Sequence, residues 1–287
     1  MTKYNINLLV SEADEKLKAV GIDAGKAEAE IILCDLLDVE RLELYLNGPS
    51  LLDDNIVKSY YEIIEKRLTR YPLQYILGSA WFYGRKFLVD ENVMVPCPET
   101  ELLLESVLRT ARLSKSSPVR LLDIGTGSGV VSASSKLENP ELDVTASDIS
   151  TEALKVAQSN ARQFGVEENI KWIQSDLFDN IDPNSRFDII ASNPPYIADD
   201  TYDTLPPEVK ADPTLSLLGG NKGMEIIERL LKQAPDFLNR PGTLIFEIGY
   251  DQAEIIFDLV DNNSSYSKCM LLKDLANIDR IVICKTA

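Results

Sequence analysis

The 287 residues encode an α/β fold: a doubly wound sheet of seven strands preceded by a small helical bundle. Three observations require it. Residues 1–75 repeat apolar side chains at helical spacing. From Glu99 onward, short apolar runs alternate with helical segments, the pattern of strands joined by crossover helices. Glycines and polar residues gather just after those apolar runs, where open α/β sheets keep their ligands.

Taken in order, Leu8, Leu9, Ala13, Leu17 and Val20 space as one helical face, and Gly21 stops it. Ala27, Ile31, Cys34 and Leu37 repeat the pattern to about Asp38. Ile56, Tyr60, Ile63, Ile64 and Leu68 form a third helix, capped by Asp53 or Asp54. Three or four short helices thus make the bundle. Trp81-Phe82-Tyr83 and Phe87-Leu88-Val89 flank Gly84-Arg85 and predict a hairpin, so residues 76–98 link the bundle to residues 99–287. A helix covers Glu99 to Leu113, and Ser114 to Pro118 is a loop. Strands follow at Leu121–Ile124, Leu142–Ala146, Ile170–Gln174, Phe187–Ser192, Thr243–Glu247, Ser267–Leu272 and Asp279–Lys285. Pro241-Gly242 turns the chain into the fifth of these, and the last two, with no helix between them, read as an antiparallel pair at one edge. Ile197 to Lys222, with Pro206, Pro207 and Pro213, has little periodicity and reads as a flap.

Composition narrows the function. At 45% hydrophobic and 26% charged the chain can bury a sizeable core. Lys plus Arg number 29 against 46 Asp plus Glu, a net charge of −17 that repels phosphate backbones and argues against a nucleic-acid substrate. With no histidine, His-based triads and His metal sites are excluded. Cys34, Cys97, Cys269 and Cys284 are scattered, so neither a disulfide framework nor a metal site is expected, and the compartment reads as reducing. No signal peptide and no apolar run of about 20 residues is evident, which predicts a soluble, cytoplasmic protein with no membrane contact. Nothing demands a dimer, and a monomer is expected.

The chemistry sits after four of the strands. Asn193-Pro194-Pro195-Tyr196 follows a buried strand. This arrangement suits a planar NH2 group: the Asn amide oxygen accepts one N–H, a backbone carbonyl of Asn193 or Pro194 accepts the other, and the Tyr196 ring covers the flat face. The prolines limit backbone freedom and set the acceptors in advance. Alone, the tetrapeptide reads equally well as a rigid turn. Upstream, Gly125-Thr126-Gly127-Ser128-Gly129 lies between a strand and a helix, where backbone N–H groups can approach a nucleotide-like ligand. Its G-x-G-x-G spacing departs from the dinucleotide G-x-G-x-x-G and favours S-adenosylmethionine, which has no pyrophosphate to cradle. Asp148 ends the second strand and can accept both ribose hydroxyls; Ser150 is the better cap for the next helix, leaving Asp148 free for a ligand. Asp176 after the third strand can bond an adenine amino group, with Leu177 and Phe178 sandwiching the ring, although an ordinary strand-end turn reads the same way. Four loops at one sheet edge make one site.

These motifs resemble those of the HemK/PrmC family of protein-(glutamine-N5) methyltransferases, over nearly the whole chain. Arg70-Tyr71-Pro72-Leu73-Gln74-Tyr75-Ile76-Leu77-Gly78 is similar to the family's R-x-P-x-Q-Y-I-x-G segment, and Phe82, Gly84, Phe87 and Val89 match its hairpin. Val95-Pro96-Cys97-Pro98-Glu99-Thr100-Glu101 resembles its P-R-P-E-T-E box, Leu217 to Gly220 with Gly223 its A-L-x-G-G-x-D-G-L element, and Glu247-Ile248-Gly249 with Gln252 its E-I-G-x-x-Q stretch. The chain departs from the pattern at Cys97, where the family has Arg, at Lys222, where it has Asp, and in the serine-rich helix Val130 to Lys136. The resemblance implies a Rossmann-like, S-adenosylmethionine-dependent methyltransferase domain that methylates the Gly-Gly-Gln glutamine of class-I peptide chain release factors, gripped by the helical domain. Asn193, Pro194 and Tyr196 are then catalytic, and Asn193 to Tyr196 contact the substrate. Gly125 to Gly129, Asp148, Asp176, Leu177 and Asn193 hold the cofactor. Adenine-N6 and guanine-N2 enzymes share the Asn-Pro-Pro-Tyr chemistry, but this chain has no basic cluster to seat nucleic acid. A binding module that kept the fold, and more remotely a dinucleotide oxidoreductase, are the other readings.

Overall fold

The computed structural model describes residues 5–46 and 52–286; Met1 to Tyr4, part of the segment read above for signal-peptide character, lie outside them. The chain forms two compact units. One takes in the described residues up to Gly78 together with Pro206–Ala211, and the other comprises Ser79–Leu205 and the chain from Asp212 onward.

Among the described residues the first unit holds α1 (Ile6–Ala19), α2 (Gly25–Leu37), α3 (Arg41–Leu46), α4 (Asp54–Leu68) and α5 (Leu73–Leu77), joined by a later helical turn, where three or four helices were expected. Asn5 caps α1 through its side chain and Asp53 caps α4, each accepting a backbone N–H two residues on. Leu9, Leu17, Ile32, Leu33, Tyr60 and Ile64 form the fully buried centre. Leu8, Val20 and Ile31, placed by spacing on the buried faces, are instead exposed. Helix α2 carries apolar residues around much of its circumference, so only its packing against α1 and α4 decides which stripe is covered. The nearly buried Arg67 donates to Glu28 (Nε to Oε2, 2.6 Å) and to Glu208 (Nη1 to Oε1, 3.0 Å), and Arg70 forks onto Glu208 at 2.6 and 2.7 Å. Burial opposes ionisation of Glu208, but these two guanidinium groups outweigh it and hold its carboxyl down to about 2. The ion pairs anchor α9 (Pro207–Lys210) in this unit.

The second unit opens with the hairpin β1 (Ser79–Phe82) and β2 (Arg85–Leu88). Its turn is Tyr83-Gly84, both at positive φ, rather than Gly84-Arg85 as read from the sequence; Arg85 already pairs with Phe82. Then come α6 (Glu99–Leu113), β3 (Arg120–Ile124), α7 (Val130–Glu138), β4 (Asp143–Asp148), α8 (Thr151–Gln163), β5 (Ile170–Gln174), β6 (Phe187–Ser192), α10 (Thr214–Leu217), α11 (Glu225–Phe237), β7 (Leu238–Glu247), α12 (Ala253–Asp261), β8 (Tyr266–Lys273) and β9 (Asp279–Thr286). The sheet order is β5-β4-β3-β6-β7-β9-β8. The first five are parallel, and β9 runs antiparallel to both β7 and β8. This is the doubly wound, Rossmann-like sheet with the antiparallel pair at one edge.

Alternate residues of each strand enter opposite cores. Leu121, Val144, Ile189 and Ile245 pack on one face, Leu122, Ile124, Ile190 and Leu244 on the other. Strand β7 begins five residues before the expected Thr243, and Pro241-Gly242 lies inside it at a register irregularity against β6. The stretch read as an aperiodic flap folds into short helical turns, and Ile197 bridges to Leu218. Among the described residues no helix is long and apolar enough to cross a membrane. Cys269 and Cys284 face each other across β8 and β9, with Sγ atoms 3.3 Å apart and no disulfide between them.

Candidate active site

Strand order reverses between β3 and β6, which are neighbours although two strands separate them in sequence. A crevice opens at such a switch point. Here the glycine loop after β3 and the Asn-Pro-Pro-Tyr segment after β6 border one cavity of about 280 Å3. Of the residues singled out from the sequence, Gly125, Thr126, Gly127, Ser128, Asp148, Asp176, Leu177, Asn193, Pro194 and Pro195 line it. Gly129 and Tyr196 do not.

The loop is fastened from below. Gly125, Gly127 and Gly129 all take positive φ. Asp123, buried in β3, accepts from the Thr126 hydroxyl at 2.6 Å and from the Ser132 N–H at 3.1 Å. Burial pushes its carboxyl up to about 6 against the pull of those bonds. Thr126 also donates its N–H to the Ser147 carbonyl of β4 at 2.9 Å. Gly129 serves packing: a Cβ there would lie 3.0 Å from Cβ of Ala157, so its absence lets α7 and α8 approach. Asn160, fully buried on α8, donates to the carbonyls of Ser128 (2.8 Å) and Leu88 (2.9 Å) and accepts from the Leu88 N–H (2.6 Å). It ties the loop to the hairpin. A lone Asn among Ala153, Ala157 and Ala161 was the only sequence signal for that role.

Asp148 is not free, contrary to the sequence reading. Its Oδ2 accepts from Gly127 N and its Oδ1 from Ser150 N, both at 2.9 Å. Ser150 does cap α8, with its Oγ accepting from Ala153 N at 3.1 Å. The Asp148 carboxylate therefore joins the tip of β4 to the glycine loop at the cavity wall. Burial raises its pKa, while the Ser150 and Gly127 bonds oppose that shift. Asp176 is likewise engaged: its Oδ2 lies 3.0 Å from Nη2 of Arg229, a cavity-lining residue of α11 that sequence reasoning missed. Leu177, at positive φ, and Ile226 give the cavity apolar wall.

The tetrapeptide is held from behind. Asn193 Nδ2 donates to Thr100 Oγ1 at 3.0 Å, and Thr100 donates to Glu247 Oε2 at 2.8 Å. Tyr196 directs its hydroxyl to Glu247 Oε1 at 3.3 Å, and its ring packs on the apolar core. The expected position of that ring over a ligand is thus replaced by an inward one, because a buried carboxylate offers the phenol a partner that the sequence did not reveal. Gln252 Nε2 donates to the carbonyls of Tyr196 (3.0 Å) and Gly223 (3.1 Å), and its Oε1 accepts from Gly249 N (2.9 Å). Burial pushes Glu247 up to about 7, opposed by the Thr100 and Tyr196 bonds. Cys97 is pushed up to about 12, first by burial and then by Glu247 and Glu99, so the departure from Arg leaves a neutral thiol. Lys222 is accommodated in a left-handed conformation, φ 53°.

The cavity fits S-adenosylmethionine. The glycine loop lines it, the carboxylates of Asp148 and Asp176 are hydrogen-bond acceptors of the kind a ribose diol and an exocyclic amine require, and Ile149, Leu177 and Ile226 supply apolar wall.

Known proteins share this chain's sequence along most of its length. Residues 9–78 match the PrmC N-terminal domain model, and residues 98–205 match the Methyltransferase small domain model. A release factor glutamine methyltransferase of Rhodopirellula baltica is 36% identical over 284 residues, covering 98% of this chain and 96% of the relative. One of Neisseria gonorrhoeae is 37% identical, covering 91% of this chain and 93% of the relative. Among solved structures, the hMettl16 catalytic domain in complex with the MAT2A 3′UTR hairpin 6 superposes with a TM-score of 0.56 at 14% identity, over 77% of this chain and 91% of that one, a likeness of fold. With two relatives above one-third identity along nearly its whole length, the chain belongs to the release factor glutamine methyltransferase family.

Proposed function

We propose that this chain transfers a methyl group from S-adenosylmethionine to the side-chain amide nitrogen (N5) of the glutamine in the Gly-Gly-Gln motif of class-I peptide chain release factors. The observation that carries the reading is the fixed amide of Asn193 at the cavity edge. Its NH2 edge is taken by Thr100, so its oxygen is left as an acceptor. Pro194 and Pro195 stiffen the backbone carbonyls beside it.

The glycine loop, Asp148, Asp176 and Leu177 bind the cofactor, which when bound supplies an electrophilic methyl group. The chain's task is to present a weak nucleophile. An amide nitrogen has a delocalised lone pair. Two acceptors, Asn193 Oδ1 and the carbonyl of Asn193 or Pro194, take its two N–H bonds, aim the nitrogen and stabilise positive charge as it builds there. The proton leaves afterwards, so no strong base is needed. Tyr196 contributes from behind, fixing the end of the tetrapeptide through Glu247 and Gln252. The helical unit, with α9 held by Arg67 and Arg70, grips the release factor. The enzyme acts as a monomer without direct nucleic-acid contact, in keeping with its net charge of −17.

Mass spectrometry of a release factor incubated with this protein and cofactor tests the reading. The expected result is one added methyl on the Gly-Gly-Gln glutamine, with no label entering total RNA or DNA; labelled nucleic acid and an unmodified glutamine would overturn it. Asn193→Ala should lower kcat by roughly 10²–10³-fold, the scale of losing one preorganised polar contact, with little change in cofactor Kd by calorimetry.

A further inference from the structure

Three polar side chains from distant segments meet behind the tetrapeptide. Asn193 follows β6, Thr100 lies in the first turn of α6, and Glu247 ends β7. Thr100 and Glu247 are 3% and 1% exposed. We propose that Thr100 and Glu247 are positioning residues that set which edge of the Asn193 amide faces the substrate. The inference rests on the reading of Asn193 given above.

Hydrogen-bond polarity sets the orientation. An ionised carboxylate only accepts. Thr100 therefore spends its single proton on Glu247 Oε2, at 2.8 Å. Its oxygen is left to accept, and the donor that reaches it is Asn193 Nδ2, at 3.0 Å. The NH2 edge of Asn193 is thereby turned inward and Oδ1 outward. Without this relay the two orientations of a carboxamide are nearly equivalent in shape, and the flipped one would point N–H groups at the N–H groups of an incoming amide. Burial removes competing water, so reversing the relay leaves unpaired polar groups.

Protonation of Glu247 would undo the bias. As an acid it can donate to Thr100, which frees the Thr100 hydroxyl to turn toward Asn193 Oδ1. The groups around Glu247 are Thr100 and Glu99 on α6, Cys97 just before it, Tyr196, and Arg280 on β9. Glu99 favours the protonated form and Arg280 the ionised one, and burial, the largest influence, favours the protonated form. The ionised state is reached as pH rises past about 7.

Five variants test this, each read by kcat, by KM for the release factor, by cofactor Kd from calorimetry and by the pH profile of kcat. Thr100→Val keeps the shape and removes the relay; its kcat should fall roughly 10–100-fold, with KM and cofactor Kd within about twofold. Thr100→Ser restores the hydroxyl and should recover kcat to within about threefold. Wild-type kcat should fall as pH drops below about 7, and Glu247→Gln should flatten that profile. The double variant Thr100→Val with Asn193→Ala should be no slower than Asn193→Ala. Wild-type kcat in Thr100→Val beside a crippled Asn193→Ala overturns the relay and leaves the role of Asn193 standing. Full activity in Asn193→Ala overturns both. If Thr100→Val does not fold, the Glu247→Gln profile decides: an undiminished pH dependence overturns the relay.

Discussion

Gly223→Ala is the sharpest test of how the tetrapeptide is held. Gly223 has φ +67°, and a Cβ built on it would lie 2.0 Å from the Tyr196 carbonyl oxygen, 2.6 Å from its carbon and 2.9 Å from Gln252 Nε2. Carbon–oxygen contacts settle at roughly 3.3 Å, so the backbone at Tyr196 must retreat by more than about 1 Å. The retreat also breaks the Gln252 bonds to Tyr196 and Gly223. An unsatisfied buried amide costs about 1–3 kcal/mol, and the left-handed backbone about 1–2 kcal/mol more. The expected loss of stability is therefore about 2–5 kcal/mol in denaturant unfolding. A displacement of that size next to the reacting groups lowers kcat by about 10²-fold. Gly84→Ala is the control: it has φ +73° with nothing within 4 Å of its Cβ, so it carries the backbone cost alone. Chemical denaturation and methyl-transfer rates should separate the two variants clearly. Equal stability of the pair, together with wild-type kcat in Gly223→Ala, would refute the reasoning.

Other consequences can be checked directly. Asp148→Ala removes the carboxylate that holds the glycine loop at Gly127 N and bonds Ser150 N at the start of α8, and should weaken cofactor binding by about 2–3 kcal/mol in calorimetry; unchanged Kd would contradict a binding role for Asp148. Ser134 and Ser135 bury hydroxyls with no hydrogen-bond partner on α7, so Ser134→Ala and Ser135→Ala should each raise stability by about 1 kcal/mol, measured as the denaturation midpoint. Glu247 has its folded pKa raised to about 7 from 4.5, so its contribution to stability is fully present below about pH 4.5 and is lost as pH rises through 7. The span corresponds to on the order of 3 kcal/mol, and Asp123, raised to about 6, adds in the same direction. Unfolding free energies followed from pH 5 to 8 should fall less steeply in Glu247→Gln, and an identical slope would contradict the assignment.

Local information was enough wherever one segment decided its own structure. Strands β5 and β6 fall at the residues expected from their apolar runs, and Ser150 caps α8 as its side chain and position require. The order of loops along the chain, with the fold it implies, already placed the glycine loop, Asp148, Leu177 and Asn193 at one sheet edge, because strand ends and parallel crossovers leave few alternatives. What the chain order could not convey was hydrogen-bond partnership across the fold. Thr100 and Glu247 are 147 residues apart, Asp148 reaches back to Gly127, and Tyr196 turns inward to a carboxylate that ends another strand. Such pairings depend on angles and separations set only when seven strands and their helices have packed. Which edge of an amide faces a ligand, and which carboxylate oxygen remains free for one, are therefore properties of the tertiary structure, while the residue types available for that chemistry are properties of the sequence.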